Sequence, residues 1–175
     1  ALPIKKGNAL DVGCGLGQVS RYLAEQGFNT TAIDVSEKAI SICKELNNTV
    51  KHIEYLVANS ITFNSDKKFD LIIDFLHIHD IERDNIKLYL NNIENQLNKG
   101  GYLIFSTFTQ NDKSNTQNNV RRSFYVNQEI NYYTKDDIIN LLNNKYTIIS
   151  YQYLITGNKK ENYESYLLIL KHSYE

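Results

Sequence analysis

Short apolar runs and amphipathic segments alternate along the first two thirds of this 175-residue chain. A run such as F-D-L-I-I-D-F at 69–75, bounded by polar residues, is typical of a strand buried on both faces. Apolar residues at helical spacing between the runs indicate amphipathic helices. The alternation predicts an α/β fold with a doubly wound, mainly parallel sheet. The first predicted strand leads into the phrase at Ala9–Gly17. The other predicted strands are Asn29–Asp34, His52–Val57, Phe69–Phe75 and Tyr102–Phe108. The predicted helices are Gln18–Gln26, Glu37–Leu46 and Arg83–Leu97.

The last third of the chain has a different pattern. Tyr146–Ile155 and Tyr163–Lys171 are rich in Tyr, Ile and Leu and flank a polar region at 156–160, which predicts a β-hairpin. A helix capped by Thr134 is expected just before it. Two consecutive strands without an intervening helix pair antiparallel, so the sheet should be mixed at this end. A nicotinamide-binding Rossmann domain would instead continue with parallel crossovers.

Composition narrows the class of protein. With 42% hydrophobic residues the chain can bury a full core, and we expect one domain over residues 1–175. A net charge of −1 provides no basic field for nucleic acid. The sequence has no run of 18 or more apolar residues and no signal-peptide pattern, which predicts a cytoplasmic protein without a membrane partner. Cys14 and Cys43 form no metal motif, so we expect reduced core thiols and no metal.

Three alternating glycines follow the first predicted strand, in the phrase A-L-D-V-G-C-G-L-G. Gly13, Gly15 and Gly17 allow a sharp turn whose backbone a ligand can approach, and a helix follows at once. Strand, glycine turn and helix together indicate a nucleoside-binding site. The dinucleotide pattern G-x-G-x-x-G would place its last glycine at Gln18, and the carboxylate of Asp11 would repel a pyrophosphate. An acidic residue suits instead a ligand that carries ammonium and sulfonium charge.

The phrase D-x-G-x-G-x-G resembles motif I of class I S-adenosylmethionine (SAM)-dependent methyltransferases. The pattern F-D-L-I-I-D-x-x-x-x-H-x-I resembles their fourth-strand motif, and N-K-G-G-Y-L-I-F resembles L-x-P-G-G-x-L with Lys99 in place of proline. The resemblance covers Gly7 to Lys171 and is closest to the small-molecule and tellurite-resistance methyltransferases. It implies a Rossmann-like seven-stranded sheet, SAM as cofactor with S-adenosylhomocysteine as product, and a monomer or small homo-oligomer. The implied acceptor is a small molecule such as a tellurite- or selenite-type oxyanion or a thiol.

An acid at the end of the second strand completes the predicted cofactor site. Asp34 follows Gly13 by 21 residues and can accept hydrogen bonds from both ribose hydroxyls, although it could also serve only as an N-terminal residue of the next helix. Asn59 stands where the family often has an acid for the adenine amine, and Val35 and Ile61 would cover the adenine faces. The predicted cofactor-binding residues are Asp11, Gly13, Cys14, Gly15, Gly17, Asp34, Val35, Asn59, Ser60, Ile61 and Asp74.

The acceptor side carries weaker signals. His79, with His77 and Asp80 as neighbours, is the candidate general base at the end of the fourth strand, and a packing role is the alternative. The Asn- and Gln-rich segment within residues 108–133 is a candidate substrate loop at the carboxyl edge of the sheet. The candidate substrate residues in this segment are Arg121, Arg122 and Tyr133. The guanidinium groups of the two arginines are suited to binding an oxyanion, and the alternative is that they form a solvated surface pair.

Two other functions remain open on the sequence. One is a NAD(P)-binding Rossmann oxidoreductase, and the other is a module that binds SAM without transferring its methyl group. The chain begins at Ala1 and contains no methionine, so we expect the initiator and an N-terminal helix to be missing from it. In this class of enzyme such a helix often closes over the cofactor.

Overall fold

A seven-stranded mixed sheet organises the chain in this computed structural model, which describes residues 4, 6–112, 130–142, 144–157 and 162–173. The strands run in the order β3-β2-β1-β4-β5-β7-β6. The strands are β1 Asn8–Val12, β2 Asn29–Asp34, β3 Ile53–Val57, β4 Phe69–Phe75, β5 Leu97–Phe108, β6 Tyr146–Gly157 and β7 Asn162–His172.

Helices connect β1 to β2, β2 to β3 and β4 to β5, whereas residues 58–68 between β3 and β4 form no helix. Two short 3₁₀ turns, Ile78–Asp80 and Arg83–Asn85, lie between β4 and the third α-helix. The α-helices are α1 Gln18–Glu25, α2 Glu37–Leu46, α3 Ile86–Gln96 and α4 Lys135–Leu142.

Strand pairing confirms the expected fold class. β1 pairs parallel with β2 and β4, β2 with β3, and β4 with β5. β7 then pairs antiparallel with both β5 and β6, which is the predicted C-terminal hairpin. The strand order therefore reverses between β1 and β4, where their carboxyl ends open a crevice of the kind in which doubly wound sheets bind ligands.

The buried faces explain why β4 is so apolar. Ile72 packs into the larger core with α3 and α4, whereas Leu71 and Ile73 face the smaller core that includes Leu23 of α1. Since helices cover both faces of the sheet here, a strand at its centre needs apolar residues in both directions.

One boundary differs clearly from the expectation. The predicted helix from Arg83 to Leu97 is shortened at its start by a 3₁₀ turn, and β5 begins at Leu97 instead of Tyr102. The register between β4 and β5 shifts between Phe69 and Leu71, and Gly100 takes a φ of 73° inside β5. The K-G-G sequence, which looks like a turn, therefore lies within an irregular strand.

Candidate functional site

A cavity of about 360 Å³ lies at the carboxyl ends of β1 to β4. Its walls come from the glycine turn after β1, the ends of β2 and β3, and the segment from Leu76 to Asn85 after β4. The volume lies within the range usual for small-molecule sites, roughly 300–1,000 Å³. The crevice at the reversal of strand order is therefore a ligand-sized site.

The glycine turn forms the floor of this cavity. Gly13 has a φ of 66°, and a Cβ atom added there would lie 2.3 Å from Nδ1 of His77. Gly15 has a φ of 52°, and a Cβ atom added there would meet nothing within 4 Å. The first glycine therefore permits the close approach of His77, whereas the second presents bare backbone to open space.

Asp34 lies on the cavity wall and fixes the turn to the end of β2. Its Oδ2 accepts a hydrogen bond from the Gly15 N–H at 2.9 Å, and its Oδ1 accepts one from the Ser36 N–H at 2.9 Å. The Ser36 hydroxyl caps α2 by accepting from the Ala39 N–H at 3.2 Å. Asp34 is only partly buried, so its remaining lone pairs face the cavity side.

Asp11 lies behind the glycine turn and does not line the cavity. It is buried beneath α1, where the Ser20 hydroxyl donates a hydrogen bond to Oδ2. Burial raises the pKa of Asp11 to about 7, and the negative charges of Asp74 and Asp34 act in the same direction. The structure thus places this acid between β1 and α1, although the motif pattern predicts a ligand contact.

Four more of the predicted cofactor residues line the cavity at the ends of β2 and β3: Val35, Asn59, Ser60 and Ile61. Asn59 is exposed, and its side-chain oxygen accepts a hydrogen bond from the Ile61 N–H at 2.8 Å. This bond leaves the amide N–H groups of Asn59 as donors. The wall therefore combines an apolar surface with an amide edge, which suits a purine base.

Asp74 lies at the end of β4 and is completely buried outside the cavity. Its Oδ2 accepts a hydrogen bond from the Tyr89 hydroxyl at 2.6 Å, while Oδ1 accepts from the N–H groups of His77 at 3.0 Å and Ile78 at 3.2 Å. Burial raises the pKa of Asp74 despite these donors. Asp74 therefore shapes the chain that follows β4, including Leu76 with its φ of 58°.

His77, not His79, is the histidine on the cavity wall. The His77 Nε2 lies 2.9 Å from the Ser60 hydroxyl, and its ring contacts Tyr89 edge-on at 5.7 Å between centroids. His79 is buried against Phe108, with ring centroids 4.5 Å apart. The 3₁₀ turn after β4 turns the two histidines to different sides, which the strand-end pattern could not show.

The remaining predicted residues lie away from the cavity or outside the described residues. Cys14 and Gly17 are buried beside Cys43, whose thiol donates to the Gly15 carbonyl at 3.1 Å. Tyr133 is buried where its backbone bridges to Thr109. Arg121, Arg122 and most of the candidate substrate loop lie outside the described residues.

Several wall residues have no signal in the sequence analysis. Leu76, Ile81, Glu82 and Asn85 line the cavity because the chain after β4 folds back through two 3₁₀ turns. The I-H-D-I-E-R-D-N stretch is polar and short, so only its place after a fourth strand could have suggested a role. Within the part of the chain that the structure describes, no three metal-ligating side chains cluster and no helix is long and apolar enough to span a membrane.

A family model described as a methyltransferase domain matches residues 1–145. The chain belongs to this methyltransferase family. The resemblance inferred from the glycine motif and the fourth strand is thereby confirmed, and SAM is the cofactor of the family. The family assignment favours SAM over NAD(P), in agreement with a glycine motif that ends at Gly17 and not at position 18, where the dinucleotide pattern has its last glycine.

Among curated relatives, the chain is similar to the ubiquinone biosynthesis O-methyltransferase of Rickettsia conorii, at 37% identity over 115 residues. The match covers 63% of this chain and 38% of that protein. The chain thus spans less than half the length of this relative.

Solved structures share the fold at low sequence identity. A SAM-dependent methyltransferase of Methanosarcina mazei superposes with a TM-score of 0.79 at 19% identity, covering 96% of this chain and 93% of that one. The N-methyltransferase NodS of Bradyrhizobium japonicum, in complex with S-adenosylhomocysteine, gives 0.76 at 19%, covering 96% and 79%. TehB of Haemophilus influenzae gives 0.76 at 17%, covering 98% and 59%. These likenesses confirm the methyltransferase fold.

Proposed function

We propose that this domain is an enzyme that transfers a methyl group from SAM to a small-molecule acceptor. The observation that carries the proposal is the Asp34 carboxylate, held on the cavity wall by the backbone of Gly15 and Ser36. A carboxylate at the end of the second strand, beside a glycine turn, is the group that accepts hydrogen bonds from ribose hydroxyls. We expect the domain to act in the cytoplasm as a monomer or small homo-oligomer.

The residues present fit SAM. Bare backbone at Gly15 faces space that a Cβ atom would enter without contact, so a ligand can lie directly on the turn. Asp34 offers carboxylate lone pairs to a ribose, and Asn59 offers an amide edge to an adenine. Val35 and Ile61 supply the apolar surface on which a purine can rest. This donor set suits a nucleoside and provides no cation for a pyrophosphate.

Asp11 and Asp74 hold the backbone segments that form the cavity without lining it. Asp11 joins β1 to α1 through Ser20, which keeps the glycine turn at the mouth of the crevice. Asp74 fixes the chain after β4 through Tyr89 and the backbone N–H of His77. We therefore assign both acids a positioning role, with the direct ligand contacts made by the wall residues.

The chemistry requires alignment more than it requires an acid or base. Bound SAM supplies a methyl group that its sulfonium already activates. The chain's own residues orient the two reactants in line and exclude water, which contributes much of the rate of such a displacement. His79 is buried against Phe108 and does not line the cavity, so a base at this position is not part of the proposal.

The proposed acceptor is a small molecule. A thiol or a tellurite- or selenite-type oxyanion is already nucleophilic and needs no base. The relative from Rickettsia conorii is an O-methyltransferase by name, which adds a hydroxyl acceptor to the same group.

Transfer of labelled methyl from SAM to an acceptor panel tests the proposal. The panel contains tellurite, selenite, small thiols, catechols and small amines, and each reaction is compared with a heat-denatured sample. Label in an extracted product supports the enzyme. A protein that binds SAM tightly yet transfers no label to any acceptor would favour the alternative of a SAM-binding module.

A further inference from the structure

His77 links three parts of the cofactor cavity. Its backbone N–H donates to the buried Asp74 at 3.0 Å, its Nε2 lies 2.9 Å from the Ser60 hydroxyl, and its ring lies against Gly13. The edge of Tyr89 contacts the ring from the core side. The imidazole is therefore fixed on several sides, and a side chain held this way can present one atom to a ligand without further ordering cost.

The other ring nitrogen is the atom that faces the turn. A Cβ atom added to Gly13 would lie 2.3 Å from Nδ1, nearer than to the ring carbon or to Cβ of His77. His77 lines the cavity, and within the described residues its Nδ1 has no hydrogen-bond partner. Because His77 is only partly buried and lines the cavity, a ligand beside Gly13 can reach its side chain.

The hydrogen bond with Ser60 can determine whether Nδ1 of His77 is a donor. The hydroxyl of Ser60 has one proton, and when it donates to Nε2 the neutral imidazole must carry its own proton on Nδ1. The Ser60 backbone is held in place because its carbonyl accepts a hydrogen bond from the Asn92 side chain at 2.9 Å. When Ser60 donates in this contact, the His77 imidazole directs an N–H toward Gly13.

The order of the strands indicates which part of SAM would lie near His77. Asp34, Val35 and Asn59 stand at the ends of β2 and β3, where the proposed function places the nucleoside. β1 and β4 are the next strands in the sheet, so we expect the remainder of SAM to extend over Gly13 toward His77. That remainder is an amino acid, whose carboxylate needs an N–H donor.

We propose that the Nδ1–H of His77 binds the carboxylate of the amino-acid end of SAM, with Ser60 holding the imidazole in the required tautomer. This assignment rests on the proposed function. Asp80 and Glu82 also line the cavity and would provide negative charge for the amino group. His77 is therefore a binding residue that distinguishes ligands with an amino-acid end from those without one.

Titration calorimetry with two ligands tests the assignment. S-adenosylhomocysteine carries the amino-acid end, whereas 5′-methylthioadenosine has the same nucleoside and thioether without it. A hydrogen bond to a charged group is typically worth enough for His77→Ala to weaken S-adenosylhomocysteine binding about tenfold or more, with 5′-methylthioadenosine changed by less than about twofold.

Two further variants separate binding from packing. Asparagine places an amide N–H close to the position of Nδ1, whereas glutamine places it near Nε2, so His77→Asn should retain most of the affinity that His77→Gln loses. Ser60→Ala should weaken S-adenosylhomocysteine binding less than His77→Ala does. His52→Gln changes an exposed histidine at the opposite edge of the sheet and should leave both affinities unchanged. Thermal melting of every variant confirms that it folds.

The outcomes distinguish the two levels of the proposal. Equal losses for both ligands, or no loss for either, would overturn the role of His77 while leaving the SAM site intact. Equal behaviour of His77→Asn and His77→Gln would overturn it as well. If the unchanged protein bound neither ligand, the proposed function itself would fail, and the assignment of His77 with it.

Discussion

The carboxylate of Asp34 accepts a hydrogen bond from the backbone N–H of Gly15 at 2.9 Å, which joins the end of β2 to the glycine turn after β1. This contact places the acid on the cavity wall, beside the bare backbone that a nucleoside would cover. The first prediction concerns this carboxylate.

Asp34→Ala should weaken the binding of S-adenosylhomocysteine by roughly ten- to a hundredfold, because hydrogen bonds to a charged group are typically worth about 1.5–3 kcal/mol. The loss of its bonds to Gly15 and Ser36 should also lower stability modestly. Calorimetric titration measures the affinity, and thermal melting the stability. Asp66→Ala, at an exposed acid outside the cavity wall, is the matched control. Unchanged affinity in Asp34→Ala would show that Asp34 does not bind the ribose.

The second prediction concerns the pH dependence of stability. Burial raises the pKa of Asp11 from 3.8 to about 7, so the folded protein retains a proton that the unfolded chain releases. Because the unfolded state binds fewer protons across this interval, the contribution of Asp11 to stability falls as pH rises from near 4 to near 7 and is constant above it.

Asp11→Asn abolishes this ionisation and keeps an oxygen for the Ser20 hydroxyl. The variant should gain stability relative to the unchanged protein as pH rises through that window, by up to about 4 kcal/mol. Urea unfolding at intervals between pH 4 and pH 8 measures the difference. Asp66→Asn provides the control for an exposed acid. A constant difference between Asp11→Asn and the unchanged protein at every pH would contradict the raised pKa.

Gly13 and Gly15 should respond differently to alanine. In Gly13→Ala the new methyl group would collide with the His77 ring, so both stability and ligand binding should fall. In Gly15→Ala the methyl group meets no protein atom, and the strain of a positive φ should cost about 1–2 kcal/mol.

Ligand binding separates the two effects in Gly15→Ala. If the cofactor lies on this backbone, affinity for S-adenosylhomocysteine should fall by far more than the modest stability loss suggests. Unfolding curves and calorimetric titration on the same sample provide the comparison. A variant with normal affinity would show that the ligand does not approach Gly15.

The fourth prediction tests the support beneath β4. Tyr89→Phe removes the hydroxyl that donates to the buried Asp74 side chain at 2.6 Å, and a buried acceptor left without its donor should cost about 1–3 kcal/mol in unfolding free energy. Tyr22→Phe, at an exposed tyrosine of α1, should be neutral. Chemical denaturation measures both. Equal stability of the two variants would mean that Asp74 is satisfied without Tyr89.

Most of the fold could be predicted from the sequence because periodicity reports burial directly. Asn29–Asp34, Glu37–Leu46 and Phe69–Phe75 occur with the expected bounds. The hairpin could be predicted from two Tyr- and Ile-rich runs without a helix between them. The start of β5 could not be predicted, because Lys99 and Gly100 are residue types typical of turns and only pairing with β4 keeps them in a strand.

The site was predictable where backbone motifs determine it and unpredictable where turns reorient side chains. Gly13, Gly15 and Asp34 lie on the cavity wall as their spacing suggested. Asp11 occupies the expected position in the chain, yet β1 directs its carboxyl beneath α1 toward Ser20. Sequence pattern gives the alternation of a strand but does not reveal which neighbour a buried acid will contact.

The histidines show the same limit more sharply. His77 and His79 are separated by one residue, and both follow a strand that ends at the crevice. A 3₁₀ turn beginning at Ile78 places one on the cavity wall and the other against Phe108. Such a turn depends on the hydrogen bonds that Asp74 accepts, and these bonds are a property of the tertiary fold.

The central claim is that the cavity over Gly13, Gly15 and Asp34 binds SAM and its product. Calorimetric titration of the unmodified protein with S-adenosylhomocysteine and, in parallel, with NAD tests it most directly. The account predicts saturable binding of S-adenosylhomocysteine with one site per chain, weakened in Asp34→Ala, and no heat with NAD. Saturable binding of NAD without binding of S-adenosylhomocysteine would contradict it.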